Sequence, residues 1–189
     1  MGKIIKFLLP FAILAGLLNA ADYEIDPAHS NIGFSAKHLK ITKVHGNFTT
    51  YQSKISYDKF TNRLTKLEAD IEAKSVNTQN QKRDAHLVEE VFFYAEKFPK
   101  MKFKMIRFEK KSETKGKIYG NITIRDITKP IELDFEYGGE NRDKQGVEKI
   151  GLNIEGSLLR SDFNIGEKYP DSLISNKIEI KIDIEAMLK

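Results

Sequence analysis

The sequence predicts an all-β fold of about eight antiparallel strands, on three observations. Apolar and polar residues alternate with a period of two through most of the chain beyond residue 22. Turn-forming clusters separate the alternating runs: "YDKFTN", "KSETKG", "DITKP" and "GGENRDKQG". One segment, Gln81 to Met101, abandons the alternation for a helical spacing. Strict period two gives each strand one dry face and one wet face, as in antiparallel sheets.

The elements follow in order. "MGKIIKFLLPFAILAGLLNAA" carries Lys3 and Lys6, an apolar run from Phe7 to Leu18, and small residues at Ala20 and Ala21. That layout predicts a secretory signal peptide over 1–21, cleaved after Ala20 or Ala21. The run is too short for a comfortable membrane span, and no Cys follows it to carry a lipid anchor. The expected product, residues 22–189, is one domain with no integral membrane span.

In "SNIGFSAKHL", Ile32, Phe34 and Ala36 share a face. From Val44 to Tyr57 the parity changes between Phe48 and Tyr51, which predicts a bulge or bend. "KLEADIEAK" places Leu67, Ala69, Ile71 and Ala73 on one face. "MKFKMIRFEK" shifts parity between Met105 and Ile106. Ile118, Gly120, Ile122 and Ile124 align, as do Ile131, Leu133, Phe135 and Tyr137. Ile150, Leu152, Ile154, Gly156 and Leu158 form the next row, and the Ile178 to Ala186 row closes the chain. Such strands form a sandwich or a closed barrel; closure removes exposed edges. The small inward residues either leave room for a ligand or relieve crowding at bends.

Placed on a helix, Asp84 to Ala95 gather Leu87, Val88, Val91, Phe92 and Ala95 on one side, with Arg83, His86, Glu89 and Glu90 opposite. His86 is therefore expected in solvent and Arg83 beside Glu90. Asp84 falls within the apolar stripe, as an N-terminal charge or capping group or as a polar group at the mouth of a cavity. The helix should end before Phe98-Pro99.

Composition excludes several activities. With no Cys, thiol catalysis and Cys-bound metals are ruled out. Removing Lys3 and Lys6 leaves 29 basic residues against 27 acidic, interspersed along the strands, so no nucleic-acid footprint exists. There is no GxSxG, no HExxH and no phosphate loop, and the four His are not at metal-ligand spacing. No enzyme, cofactor or metal is expected.

"IDPAHSNIGFSAKHLKITKVHGNF", "SVNTQNQKRDAHLVEEVFFYAEKFPKMKF", "GNITIRDITKPIELDFEYGG" and "LLRSDFNIGEKYPDSLISNKIEIKIDIEA" resemble, in order, blocks of the YceI family of bacterial secreted proteins. The resemblance runs from about Tyr23 to Ala186. One departure is Asn164, where the family usually has Gly. The resemblance implies an extended, lipocalin-like barrel of eight antiparallel strands, closed by a short amphipathic helix at about 81–95. It also implies an apolar tunnel for a polyisoprenoid or similar long-chain lipid. Its lining is expected at Phe34, Ala36, Phe48, Ala69, Ile71, Ala73, Phe92, Phe93, Phe98, Phe103, Gly120, Ile122, Phe135 and Ile154. The expected polar mouth is His38, Arg83, Asp84, Arg160 and Asp162. On this reading the protein is a periplasmic lipid carrier, and a homodimer is compatible with it. The alternatives are an enzyme acting on a lipid head group through Asp84 with Arg83, Arg160 or Asp162, and an envelope stress or interaction module with incidental lipid.

Overall fold

The computed structural model describes residues 20–189. The expected signal peptide lies outside the described residues apart from Ala20 and Ala21. The strands are β1 (Ala21–Ile25), β2 (Asn31–His38), β3 (Thr42–Phe48), β4 (Tyr51–Asp58), β5 (Arg63–Glu72) and β6 (Val76–Asn77), then β7 (Lys100–Lys110), β8 (Lys115–Ile124), β9 (Ile127–Arg142), β10 (Glu148–Leu159) and β11 (Ile174–Leu188). A helix, α1 (Gln81–Leu87), stands between β6 and β7.

These segments make eight staves. β1 and β2 both lie along β11, separated by the short 3-10 turn Pro27–His29. β3 and β4 run against them as one bent strand, and β5 with β6 follows in the same way. The sheet then proceeds through β7, β8, β9 and β10 to β11, and the pairing of β1 with β11 closes it. Every pairing is antiparallel. A closed sheet has no open edge to invite aggregation.

Two irregularities fall where parity changes in the sequence, and other register shifts, as at Ser56/Tyr57 and between Ile174 and Ile178, do not. The bend between β3 and β4 takes up Thr49 and Thr50. Ile106 is the extra residue where the β7–β8 register shifts between Met105 and Arg107, and it is exposed. A further shift sits opposite Gly138 and Gly139. Each extra residue sharpens the coil of the wall.

The two ends of the barrel differ. At one end short turns join β4 to β5, β7 to β8 and β9 to β10, and the interior is solid: Tyr23, Tyr57, Leu64, Phe108, Ile118, Phe135, Ile150 and Leu152 are buried there. At the other end two long connections, 78–99 and 160–173, arch over the opening. Outward positions carry paired charges, as where Lys117 bridges Glu132 (2.7 Å) and Asp134 (2.9 Å). Among the described residues no helix is long and apolar enough to cross a membrane.

The helix is shorter than the 81–95 expected. It stops at Leu87, and residues 88–97 are mostly successive turns, with Tyr94 left-handed at φ 50°. Val88, Val91, Phe92, Phe93 and Tyr94 are β-branched or aromatic and lose side-chain freedom in a helix. Turns let Phe92 and Ala95 reach the interior instead, and both are buried.

Candidate functional site

Beneath the two arches lies a cavity of about 970 Å³. Along β11 its wall runs from Ile174 through Ile178, Ile180 and Ile182 to Ile184. At the rise of a β-strand that is roughly 30 Å along the tilted strand. The floor is Leu67, Leu133 and Ile154, where the solid end of the barrel begins. Polar groups gather at the other end: Lys37, His38, Thr78, Asn80, Lys82, Arg83, His86 and Glu89. The cavity is therefore long and mostly apolar, with most of its polar groups at the mouth and Ser53 deeper in the wall opposite Ala69.

Of the expected lining, Phe34, Ala36, Phe48, Ala69, Ile71, Phe92, Phe93, Phe103, Ile122 and Ile154 do face the cavity. Four others do not. Phe135 is packed in the solid end against Tyr57 and Phe108. Ala73 is buried in the 3-10 turn between β5 and β6. Phe98 packs edge-on against Tyr94 (5.8 Å), with Lys97 and Arg125 over its face. Gly120 has its inner side taken by a neighbour: a Cβ there would lie 2.6 Å from Cζ of Phe103. The missing side chain seats an aromatic ring and leaves no space for a ligand.

The expected mouth residues separate likewise. His38, Arg83 and Arg160 line the cavity, whereas Asp84 and Asp162 do not. Asp84 Oδ1 accepts from the Thr78 backbone N–H (2.8 Å) and from the Thr78 hydroxyl, which ties the β6 exit to α1. Arg83 donates to the Thr78 hydroxyl (2.7 Å) and carbonyl (2.8 Å), not to Glu90. Asn80 caps the helix by accepting from the Arg83 N–H (3.0 Å). Asp162 is exposed on the 3-10 turn Arg160–Phe163. Asp84 and Arg83 do meet at the Thr78 hydroxyl, but Asp84 and Asp162 stand outside the cavity that Arg83 and Arg160 line, so no acid–base set is assembled within it.

Arg160 is only 6% exposed and donates to five carbonyls: Ile165, Gly166, Tyr169, Ile174 and Ser175. A guanidinium has five N–H groups, so its donors are fully engaged in shaping the 160–173 arch. Asn164 lies at φ 53°, ψ 38° as that turn's C-cap. This left-handed conformation explains why Gly is usual there and why Asn, which also tolerates it, can stand in.

Sequence spacing missed His86 and Tyr169. His86 is half exposed, as expected, but it is also held: its Nε2 pairs with the Tyr169 hydroxyl (2.9 Å) and its Nδ1 with Glu89 (2.8 Å). Phe92 stacks on Tyr169 (centroids 5.3 Å), and the Gly166 N–H donates to the Val91 carbonyl (2.7 Å). Together these contacts clasp the two arches to each other. Nothing in local periodicity signals a clasp between segments so far apart in the chain.

Asp26, His29 and Glu185 lie close enough together to suggest a cation site on the outer wall. The Lys149 ammonium already donates to Glu185 (2.6 Å) and Asp26 (3.3 Å), supplying the positive charge.

A closed antiparallel barrel, solid at one end and hollow beneath two clasped arches at the other, defines a container for an elongated apolar molecule. Comparison with known proteins names the lineage: residues 23–186 match the model of the YceI-like domain, and the chain belongs to the YceI family. A UPF0312 protein of Photorhabdus laumondii is 32% identical over 84% of this chain and 86% of its own. The crystal structure of a Campylobacter jejuni YceI protein is 42% identical, covers 81% of this chain and 90% of its own, and superposes with a TM-score of 0.76. A polyisoprenoid-binding domain from Saccharophagus degradans shares the fold at a TM-score of 0.66, 10% identity, and coverage of 90% of this chain and all of that one.

Proposed function

We propose that this protein is a periplasmic binding or carrier protein that holds the chain of a polyisoprenoid or similar amphiphilic lipid inside the barrel. The observation that carries this reading is the shape and chemistry of the cavity. Its volume of about 970 Å³ stands at the top of the roughly 300–1,000 Å³ usual for ligand pockets. Depth along β11 and an apolar wall suit a long hydrocarbon chain; a polar mouth suits a head group left at the surface. Burial of several hundred Å² at about 25 cal/mol per Å² supplies the driving force. Ordering of the flexible chain offsets part of it. Membership of the YceI family supports the same ligand class, and the S. degradans domain, described as polyisoprenoid-binding, has the same barrel. Binding without chemistry agrees with Asp84 held on Thr78 and Arg160 held on carbonyls.

Native mass spectrometry of protein purified from its own envelope, followed by solvent extraction, tests the proposal. One added mass per chain, identified as a prenyl or other long-chain lipid, is the expected result. A protein that neither carries such a lipid nor takes one up from detergent-free suspension would remove the carrier reading.

A further inference from the structure

The turn between β2 and β3 has a conformation its residues do not favour. Leu39 lies at φ 52° and Lys40 at φ 61°, and the Ile41 N–H donates to the His38 carbonyl (3.1 Å). Two left-handed central residues make a turn in which Asn-Gly is the usual pair. Leu and Lys occupy it here, and Leu39 is 50% exposed and its neighbour Ile41 79% exposed. A single exposed apolar side chain is ordinary. Two at the tip of one hairpin, one of them at a position that penalises its residue type, call for a reason outside the folded core.

Location supplies one. Lys37 and His38, which lead into the turn, line the cavity mouth, and so does Leu173. The Leu39 N–H donates to the Leu173 carbonyl (2.9 Å), so tip and rim are one structure. Charge supplies a second. No Asp or Glu occurs between Asp26 and Asp58, so the hairpin's own charged residues are Lys37, Lys40 and Lys43. The carboxylates facing it come from elsewhere: Asp171 stands 3.7 Å from Lys40, and Glu179 pairs with Lys43. Both pairs are exposed, where ion pairing is weak and exchangeable. Lys37 and Lys82 line the mouth in no ion pair among the described residues.

We propose that the 38–43 hairpin tip is a membrane-docking element. Leu39 and Ile41 enter the interface of a bilayer containing anionic lipid, and the surrounding lysines contact its head groups. Two apolar side chains and a few lysines give weak, reversible attachment. Docking in this pose sets the cavity mouth against the leaflet, so that a lipid chain can pass between bilayer and barrel without crossing water. The purpose assigned to docking rests on the carrier reading above; the attachment itself does not.

The test uses the processed full chain and sedimentation with vesicles. One set contains phosphatidylethanolamine with phosphatidylglycerol, the other phosphatidylcholine alone. The variant is Leu39→Asn with Ile41→Thr; Asn tolerates the left-handed position and Thr suits a strand end. Expected is wild-type binding to the anionic vesicles that falls with added salt and drops by about tenfold or more in the variant. The variant's thermal midpoint should equal or exceed the wild type's, since Asn relieves the left-handed strain at position 39, and its uptake of a fluorescent fatty acid from solution should match the wild type. Equal vesicle binding by variant and wild type, or none by either, overturns the proposal. So does a wild-type dimer that the variant converts to monomer without any vesicle binding, since the patch would then cover a second copy. Vesicle binding with a cavity that takes no lipid leaves docking standing and removes the carrier reading; lipid uptake without vesicle binding does the reverse.

Discussion

Gly120 and Ala69 are both small inward-facing residues, and the structure gives them opposite meanings. Ala69 lines the cavity, while the inner side of Gly120 is filled by Phe103 and the Lys104 carbonyl. Gly120→Ala should therefore destabilise the fold by about 1–3 kcal/mol, the usual effect of overpacking, read as a lower urea midpoint. Ala69→Trp should leave that midpoint near the wild type and greatly reduce loading of a fluorescent fatty acid. The reverse pattern would show that the cavity has been assigned to the wrong wall. Tyr57 offers a different test: it is 1% exposed and, among the described residues, its hydroxyl has no hydrogen-bond partner. Removing an unpaired buried hydroxyl relieves its desolvation. Tyr57→Phe should leave stability unchanged or raise it by up to about 1 kcal/mol by urea unfolding. At this scale the sequence tells which residues point inward, because that is parity. It does not tell which inward side chain lies over which glycine, because that depends on the register between strands.

At the scale of elements, the two arches work as one. Tyr169 joins them through His86 and Phe92. Tyr169→Phe removes the hydroxyl and keeps the stacked ring, so the arches should part more readily while the barrel stays intact. The expected outcome is ligand release faster by a few-fold in stopped-flow displacement, in keeping with roughly 1 kcal/mol for one hydrogen bond. An unchanged release rate would mean that the arches do not gate exit. The strands, one bend and one bulge are legible from alternation and its slips at Phe48–Tyr51 and Met105–Ile106. The arch at 81–95 was legible as amphipathic, but its second half is turn, because aromatic and β-branched residues there gain more from packing inward than from helical hydrogen bonds. The same helical projection gives His86 its partial exposure but not its bond to Tyr169, because it cannot see the 160–173 arch arriving from far along the chain.

Across the whole molecule, the solid end is tied by Glu148. It accepts from the Tyr23 hydroxyl (3.0 Å) and pairs with Lys59 (3.0 Å) and Arg142 (3.1 Å), joining β1, the β4–β5 turn, β9 and β10. Lys59 above all holds the Glu148 carboxyl below its ordinary value of 4.5, while burial and the same hydrogen bond push the Tyr23 hydroxyl well above its own. A depressed carboxyl stabilises the fold above its unfolded value and loses that contribution as the pH falls through the folded one. Glu148→Gln should therefore be less stable than wild type at neutral pH, with the gap closing below about pH 4. A gap constant with pH in urea titrations would contradict this account.

Closure of the barrel has a consequence for how the protein is made. The strand that completes the ring is β1, held by the last residues of β11: Tyr23 pairs with Leu188, Glu24 with Met187, and the Lys189 N–H donates to the Asp22 carbonyl (3.0 Å). The ring therefore cannot form until β11, the last of the strands in chain order, has been synthesised and can reach β1. Until then the growing polypeptide has no closed sheet to resist being threaded or cleaved, and its long-range pairings make it a slow folder. A product cut short by a few C-terminal residues would expose the edges of β1 and β10, the unpaired strand edges on which chains aggregate.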